Sequence, residues 1–199
     1  MTNLVVALQA EAAPIIEAFD LVQDGLTGIF PVYCNEYLSL IVSGVGRSYC
    51  AAAVTHLFHR TSQSIDQAWL NVGIAGHQQL TIGSVLLASR ITEQASGRSW
   101  YPPYTLDVEL SRLPLVTVDK PERYYPECCA YDMEASSFYQ IASRCSTGEL
   151  IQSLKIISDG PGSNFDLTVD QISQLVADQM TSIESMLEQL SDLAHILNT

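Results

Sequence analysis

Basic side chains are scarce in this chain: nine Lys and Arg stand against 22 Asp and Glu in 199 residues, a formal net charge of −13. So few cations cannot form the broad basic stripe that a nucleic-acid backbone or an anionic membrane surface requires, and neither is expected as a partner. Long apolar runs are also missing. Stretches such as Leu4 to Leu8 and Val85 to Ala88 are far too short to span a bilayer. No basic segment precedes a hydrophobic stretch near Met1, so no secretory signal is expected. The cysteines (Cys34, Cys50, Cys128, Cys129 and Cys145) are odd in number and form neither CxxC nor a zinc-ligand spacing. Reduced thiols in a cytoplasmic protein are the expectation. The histidines His56, His59, His77 and His195 show no ligand spacing either, and no Ser-His-Asp or Cys-His arrangement follows from their order. Neither a metal nor an organic cofactor is expected.

What is present is enough apolar residue, 47% of the chain, for one well-filled core. Without repeats or a linker, residues 1–199 read as a single domain. Its elements alternate. Leu4 to Leu8 predicts a strand, and Glu11 to Phe19 a helix with Ile15, Ile16 and Phe19 on one face. Gly28 to Cys34 and Tyr37 to Ser43 predict two strands joined tightly at Asn35-Glu36. A helix from about Tyr49 to His59 follows, then strands at Ala68 to Val72, Ser84 to Ser89 and Leu115 to Val118. Asp132 to Arg144 reads as a helix and Leu154 to Ile157 as a strand. From Thr168 to Leu197 the apolar residues recur at helical spacing, with Asp166 or Thr168 as the cap. Such alternation predicts an α/β fold with a central mixed sheet flanked by helices.

Two glycine-rich turns are expected after apolar strands, at Ser43-Gly44-Val45-Gly46 and Gly73-Ile74-Ala75-Gly76. Glycine lets the chain turn sharply and lets a ligand approach main-chain N–H groups, although a turn merely packed on its neighbour reads the same way. Neither is a Walker A loop or a GxGxxG fingerprint. Acids stand where apolar segments end. Glu11 follows the first strand, Glu134 lies in the expected first turn of a helix, and Asp159 closes an apolar strand. Taken alone, Glu11 and Glu134 are better explained as complementing a helix dipole than as catalytic, and Asp159 reads as well as a cap or turn residue.

Taken in order, the acid after the first strand, SGVG, NVGIAG, IGSVLLAS, DMEA and the strand-terminal ISD resemble the nucleoside phosphorylase superfamily. Within it they are most similar to the methylthioadenosine/S-adenosylhomocysteine nucleosidase branch, over roughly Val5 to Leu190. The resemblance implies the three-layer phosphorylase/nucleosidase fold and hydrolysis of the N-glycosidic bond of a purine nucleoside, such as a 5′-modified adenosine. It implies that Glu11 activates water and that Glu134 accepts from the ribose hydroxyls, with Met133 packing beside the sugar. Asp159 corresponds to the acid at purine N7. Val45, Gly73, Ile74 and Ser158 correspond to further substrate contacts, and Gly44 and Arg47 to an anion or water site. A homodimer or larger homo-oligomer is implied as well.

Phosphorolytic relatives carry an Arg where this chain has Asn71, which favours water over phosphate as acceptor. A phosphate-dependent phosphorylase and a catalytically silent nucleoside-binding homologue remain the alternatives. Relatives commonly have Ser at the place of Ile74. The segment between Ser89 and Asp132 is shorter than theirs and lacks the expected Phe over the base, leaving Tyr124 or Tyr125 as substitutes.

Overall fold

The computed structural model describes residues 1–25, 28–61, 64–163 and 167–197; Asp166, one of the two caps considered, lies outside them. At its centre is β1 (Thr2–Val6), all of it buried, as a parallel strand covered on both faces must be. β4 (Leu38–Val42) and β5 (Ala68–His77) flank it in parallel. Beyond β4 lie β3 (Val32–Cys34) and β2 (Val22–Gln23), each antiparallel to its neighbour. The β3–β4 connection turns at Asn35, whose side-chain oxygen accepts from Tyr37 N and Leu38 N, both at 2.9 Å.

On the other side of β1 the sheet closes on itself. β5 pairs in parallel with β10 (Ile151–Asp159), which runs antiparallel to β6 (Val85–Glu93). β6 pairs in parallel with β8 (Ser111–Thr117), and β8 with β9 (Ala130–Asp132). β9 then returns to β5, antiparallel, through Gly76 and His77. These five strands form a closed circuit of hydrogen bonds. A two-residue strand, β7 (Ser99–Trp100), hangs on β6 outside it.

Alternation along the strands feeds two separate cores. Leu4, Leu70 and Leu154 pack under α1 (Gln9–Ala18), α4 (Val169–Ala177) and α5 (Met180–Leu197), with Ile15, Val176 and Leu190 from the helices. Val5, Trp69 and Ile157 face α2 (Arg47–Arg60) and α3 (Ala135–Cys145), whose Val54, Leu57 and Phe138 fill the second core. The three-layer arrangement expected from sequence is therefore present.

Several boundaries differ from expectation. The terminal helical stretch is two helices, interrupted at Asp178 and Gln179. Thr168 caps the first with a reciprocal box: Gln171 N donates to its Oγ1 at 3.2 Å, and Thr168 N donates to Gln171 Oε1 at 2.9 Å. The expected turn at Gly73-Ile74-Ala75-Gly76 is a continuation of β5, because β10 pairs with it along its whole length. Neither Gly73 nor Gly76 has a positive φ. What these glycines supply is missing side-chain volume.

Candidate active site

Glu11 is held from two sides. It is the third residue of α1, and its carboxylate bends back so that Oε2 accepts from Ala7 N and Leu8 N, both at 2.9 Å. Oε1 accepts from Ile74 N in β5 at 3.0 Å. Gly73 makes this approach possible, since a methyl group there would stand 3.1 Å from Glu11 Oε1 and 3.4 Å from Lys155 Nζ. Burial pushes the Glu11 carboxyl above its usual range; the three N–H groups and the Lys155 charge only partly offset it.

The segment Asp132-Met133-Glu134-Ala135 builds the facing wall, with a division of labour that the sequence does not show. Asp132, not Glu134, serves the helix start: its Oδ2 accepts from Ala135 N at 2.8 Å and Glu134 N at 3.3 Å, and its Oδ1 from Thr117 Oγ1 at 2.7 Å. Glu134 precedes the first turn of α3 instead of lying in it. Its carboxylate is thus available to the cavity, where Oε1 accepts from Gly46 N at 2.7 Å. Gly46 has φ 104°, a conformation that glycine adopts without penalty. Burial, then the charge of Asp132, pushes Glu134 up to about 7, against the pull of Lys155 and Gly46 N–H.

Lys155 is the residue that sequence reasoning passed over. It lies in β10, 1% exposed, with Nζ 2.9 Å from Asp132 Oδ2. Burial works against its ammonium, but the charges of Asp132, Glu134 and Glu11 outweigh that cost and hold Lys155 above the usual lysine range. The available signal was a lysine interrupting the apolar strand Leu154 to Ile157. A cation placed there needs buried acids.

Asp159 ends β10 beyond an irregularity in register between Ile157 and Asp159, opposite Gly76. Such a bulge re-aims the side chain that follows it. Ser158 Oγ donates to Asp159 Oδ1 at 2.5 Å, and the Tyr125 hydroxyl donates to Oδ2. Burial, then the hydrogen bond and charge of Asp159, raises the Tyr125 phenol above its ordinary range. Tyr124, the other aromatic considered, is 85% exposed, whereas Tyr125 is 1% exposed.

These groups share one cavity of about 200 Å³. Glu11, Val45, Ile74, Met133, Glu134, Ser158 and Asp159 all line it, so the structure brings most of the sequence-derived site residues together. Gly73 stands just behind Glu11, while Gly44 and Arg47 are not among the lining residues. Arg47 Nη2 and Nε lie 2.8 and 3.0 Å from Asp119 Oδ1, and its guanidinium also contacts Glu93. Asn71 is buried and donates to Val5 O at 3.0 Å, also away from the cavity lining. Among the described residues the lining holds five acids (Glu11, Glu122, Asp132, Glu134 and Asp159) and no Lys, Arg or His.

No protein-family model and no curated protein matches the chain. Solved structures do. A 5′-methylthioadenosine/S-adenosylhomocysteine nucleosidase from Colwellia psychrerythraea, in complex with adenine, is similar with a TM-score of 0.78 at 16% identity, over 95% of each chain. The corresponding nucleosidase of Campylobacter jejuni gives a TM-score of 0.74 at 16% identity, over 94% of this chain and 97% of that one. Futalosine hydrolase of Helicobacter pylori gives 0.73 at 18% identity, over 94% and 97%. At such identities the likeness establishes the fold, which is the one the motifs resemble.

Proposed function

We propose that this chain hydrolyses the N-glycosidic bond of a purine nucleoside, with a 5′-modified adenosine as the favoured substrate. The observation that carries the reading is the meeting of Glu11, Glu134 and Asp159 in one cavity, Glu11 accepting from Ile74 N, Glu134 from Gly46 N, and Asp159 beside Gly76. Breaking the bond builds positive charge on the ribose and negative charge on the departing base. Glu134 stabilises the first and accepts from the sugar hydroxyls; Asp159 offsets the second at the base. Glu11 draws the proton from water. Its raised pKa strengthens it as a base, and its three N–H donors keep it oriented. Leu8, Val45, Ile74 and Met133 offer an apolar lining for the sugar and its 5′-substituent.

Water is the acceptor in this reading because the lining carries, among the described residues, five acids and no basic side chain. The buried Lys155 is already paired with Asp132, so a phosphate dianion would meet mainly acids, whereas water does not carry a charge into that field. The reading extends to a homodimer or larger assembly and a cytoplasmic setting. All five cysteines are unpaired, which supports a reducing compartment. No helix among the described residues is long and apolar enough to cross a membrane. A panel of adenosine, methylthioadenosine, inosine and uridine, with and without phosphate, tests the proposal. Phosphate-independent release of adenine that is lost in Glu11→Gln and Asp159→Asn is expected. Release that requires phosphate would make the chain a phosphorylase. Binding without release would make it a silent nucleoside-binding protein, a second reading favoured by the Tyr125 hydroxyl already seated on Asp159.

A further inference from the structure

Tyr125 belongs to the segment between β8 and β9, and several independent features single it out. The Cε1 and Oη edge of its ring lies against Gly76: a methyl group on Gly76 would come 2.5 Å from Tyr125 Cε1 and 2.7 Å from its Oη. Its hydroxyl occupies Asp159 Oδ2, and Ser158 already occupies Oδ1. Both oxygens of the acid assigned to the base are therefore engaged within the chain. With the ring in place, the cavity of about 200 Å³ is below the roughly 300–1,000 Å³ of ordinary small-molecule pockets. The backbone at Tyr125 has φ 46°, a left-handed conformation uncommon for a bulky residue and held only by its surroundings. Those surroundings are a small cluster of Val116, Val118, Cys129, Tyr131 and Met133, separate from the two main cores. The neighbouring turn is organised locally, by Glu122 Oε1 accepting from Arg123 N and Tyr124 N at 2.9 and 2.8 Å. A unit tied so lightly to the cores can open without unfolding them.

From this geometry we infer that Tyr125 is the specificity-determining residue of the base slot, an internal competitor that an incoming base displaces from Asp159 and Gly76. An aromatic edge against Gly76 and a hydrogen-bond donor on Asp159 are what a nucleobase would present there. Any base that replaces the phenol must bring both. Adenine does so through its ring edge and its N–H donors. A ligand lacking a donor on that edge would leave Asp159 Oδ2 without a partner and be rejected, because an acceptor stripped of its partner is costly. The inference rests on the nucleosidase reading for the identity of the ligand, and on the Tyr125 contacts for everything else.

Adenine binding to the full chain, measured by calorimetry for wild type, Tyr125→Phe and Tyr125→Ala, tests it. Phe keeps the ring but removes the competing hydroxyl, so adenine should bind roughly 10-fold tighter or more. Ala opens the slot as well and should also bind adenine more tightly than wild type. A second measurement needs no variant: with saturating adenine, nitration of Tyr125 by tetranitromethane, followed by peptide mass spectrometry, should rise as the ring leaves its buried seat. Wild type that binds adenine with an affinity matched within twofold by Tyr125→Phe would overturn the inference while leaving the nucleosidase reading intact. So would adenine that protects Tyr125 from nitration. Failure of all three proteins to bind adenine would overturn both.

Discussion

Replacing Glu134 by Gln probes the electrostatics of the site through stability, independently of any substrate. In the folded protein burial and the Asp132 charge raise Glu134 from 4.5 to about 7. Below pH 4.5 the folded and unfolded chains both carry this proton, and Glu134 adds no pH dependence. As pH climbs above 4.5 the unfolded carboxyl ionises while the folded one keeps its proton, so the native state loses ground until about pH 7. At about 1.4 kcal/mol per pH unit, the penalty reaches on the order of 3 kcal/mol above that window. Gln retains the shape and can still accept from Gly46 N–H, but it cannot ionise. The variant should therefore exceed wild type in stability by on the order of 3 kcal/mol at about pH 8, and the gain should vanish at about pH 4. Urea denaturation across that range reads the difference directly. A variant less stable than wild type at about pH 8, or a gain that does not change with pH, would refute the reasoning. The same variant should lose base release, so the stabilised protein is expected to be the inactive one.

Lys155→Met should destabilise the fold by about 3–5 kcal/mol, because it strands Asp132 as an unpaired buried charge. The double variant Lys155→Met/Asp132→Asn should recover part of that loss in the same denaturation assay; a strictly additive result would count against the pairing. Glu11→Gln should cut base release by about 10²–10⁴-fold, with the folded far-UV circular dichroism spectrum preserved. Activity within a few-fold of wild type would remove Glu11 from the mechanism. Gly76→Ala should cost about 1–3 kcal/mol, since its methyl group would meet Tyr125 and Asp159 at 2.5 and 2.6 Å. Thermal melting at neutral pH checks this, and an unchanged midpoint would show that the tyrosine ring is not seated as described.

The α/β architecture was legible because its signals are local. Leu4 and Val5, or Trp69 and Leu70, announce strands buried on both faces, and the helical spacing from Ile172 to Leu197 announces the covering helices. The acids were legible as an ordered set, Glu11, Glu134 and Asp159, each at the end of an apolar element. What stayed hidden depends on contacts between residues far apart in the chain. Nothing near Gly73 or Gly76 distinguishes a turn from a strand that must leave room for Glu11 on one side and Tyr125 on the other. Asp132 and Glu134 look interchangeable in sequence; only the hydrogen bonds to Ala135 N and Gly46 N separate the helix anchor from the cavity acid. Arg47, which could have served an anion, is committed to Asp119 and Glu93, the first 72 residues away.

The closed circuit of β5, β10, β6, β8 and β9 divides the molecule into what can drift and what cannot. Asp132 closes β9 opposite Thr117, and Asp159 closes β10 opposite Gly76, so main-chain hydrogen bonds set the spacing between the two ends of the cavity. Between β8 and β9 lies the segment 118–129, joined to the ring by Val118 N, which donates to Asp132 O at 2.8 Å, and by the Tyr125 hydroxyl on Asp159. Residues 119–129 lie outside the strands, so they can be rewritten while the ladder still holds both acids at their strand ends. Grafting a longer connection between Thr117 and Ala130 is accordingly the most economical route to redesigning what this protein accepts.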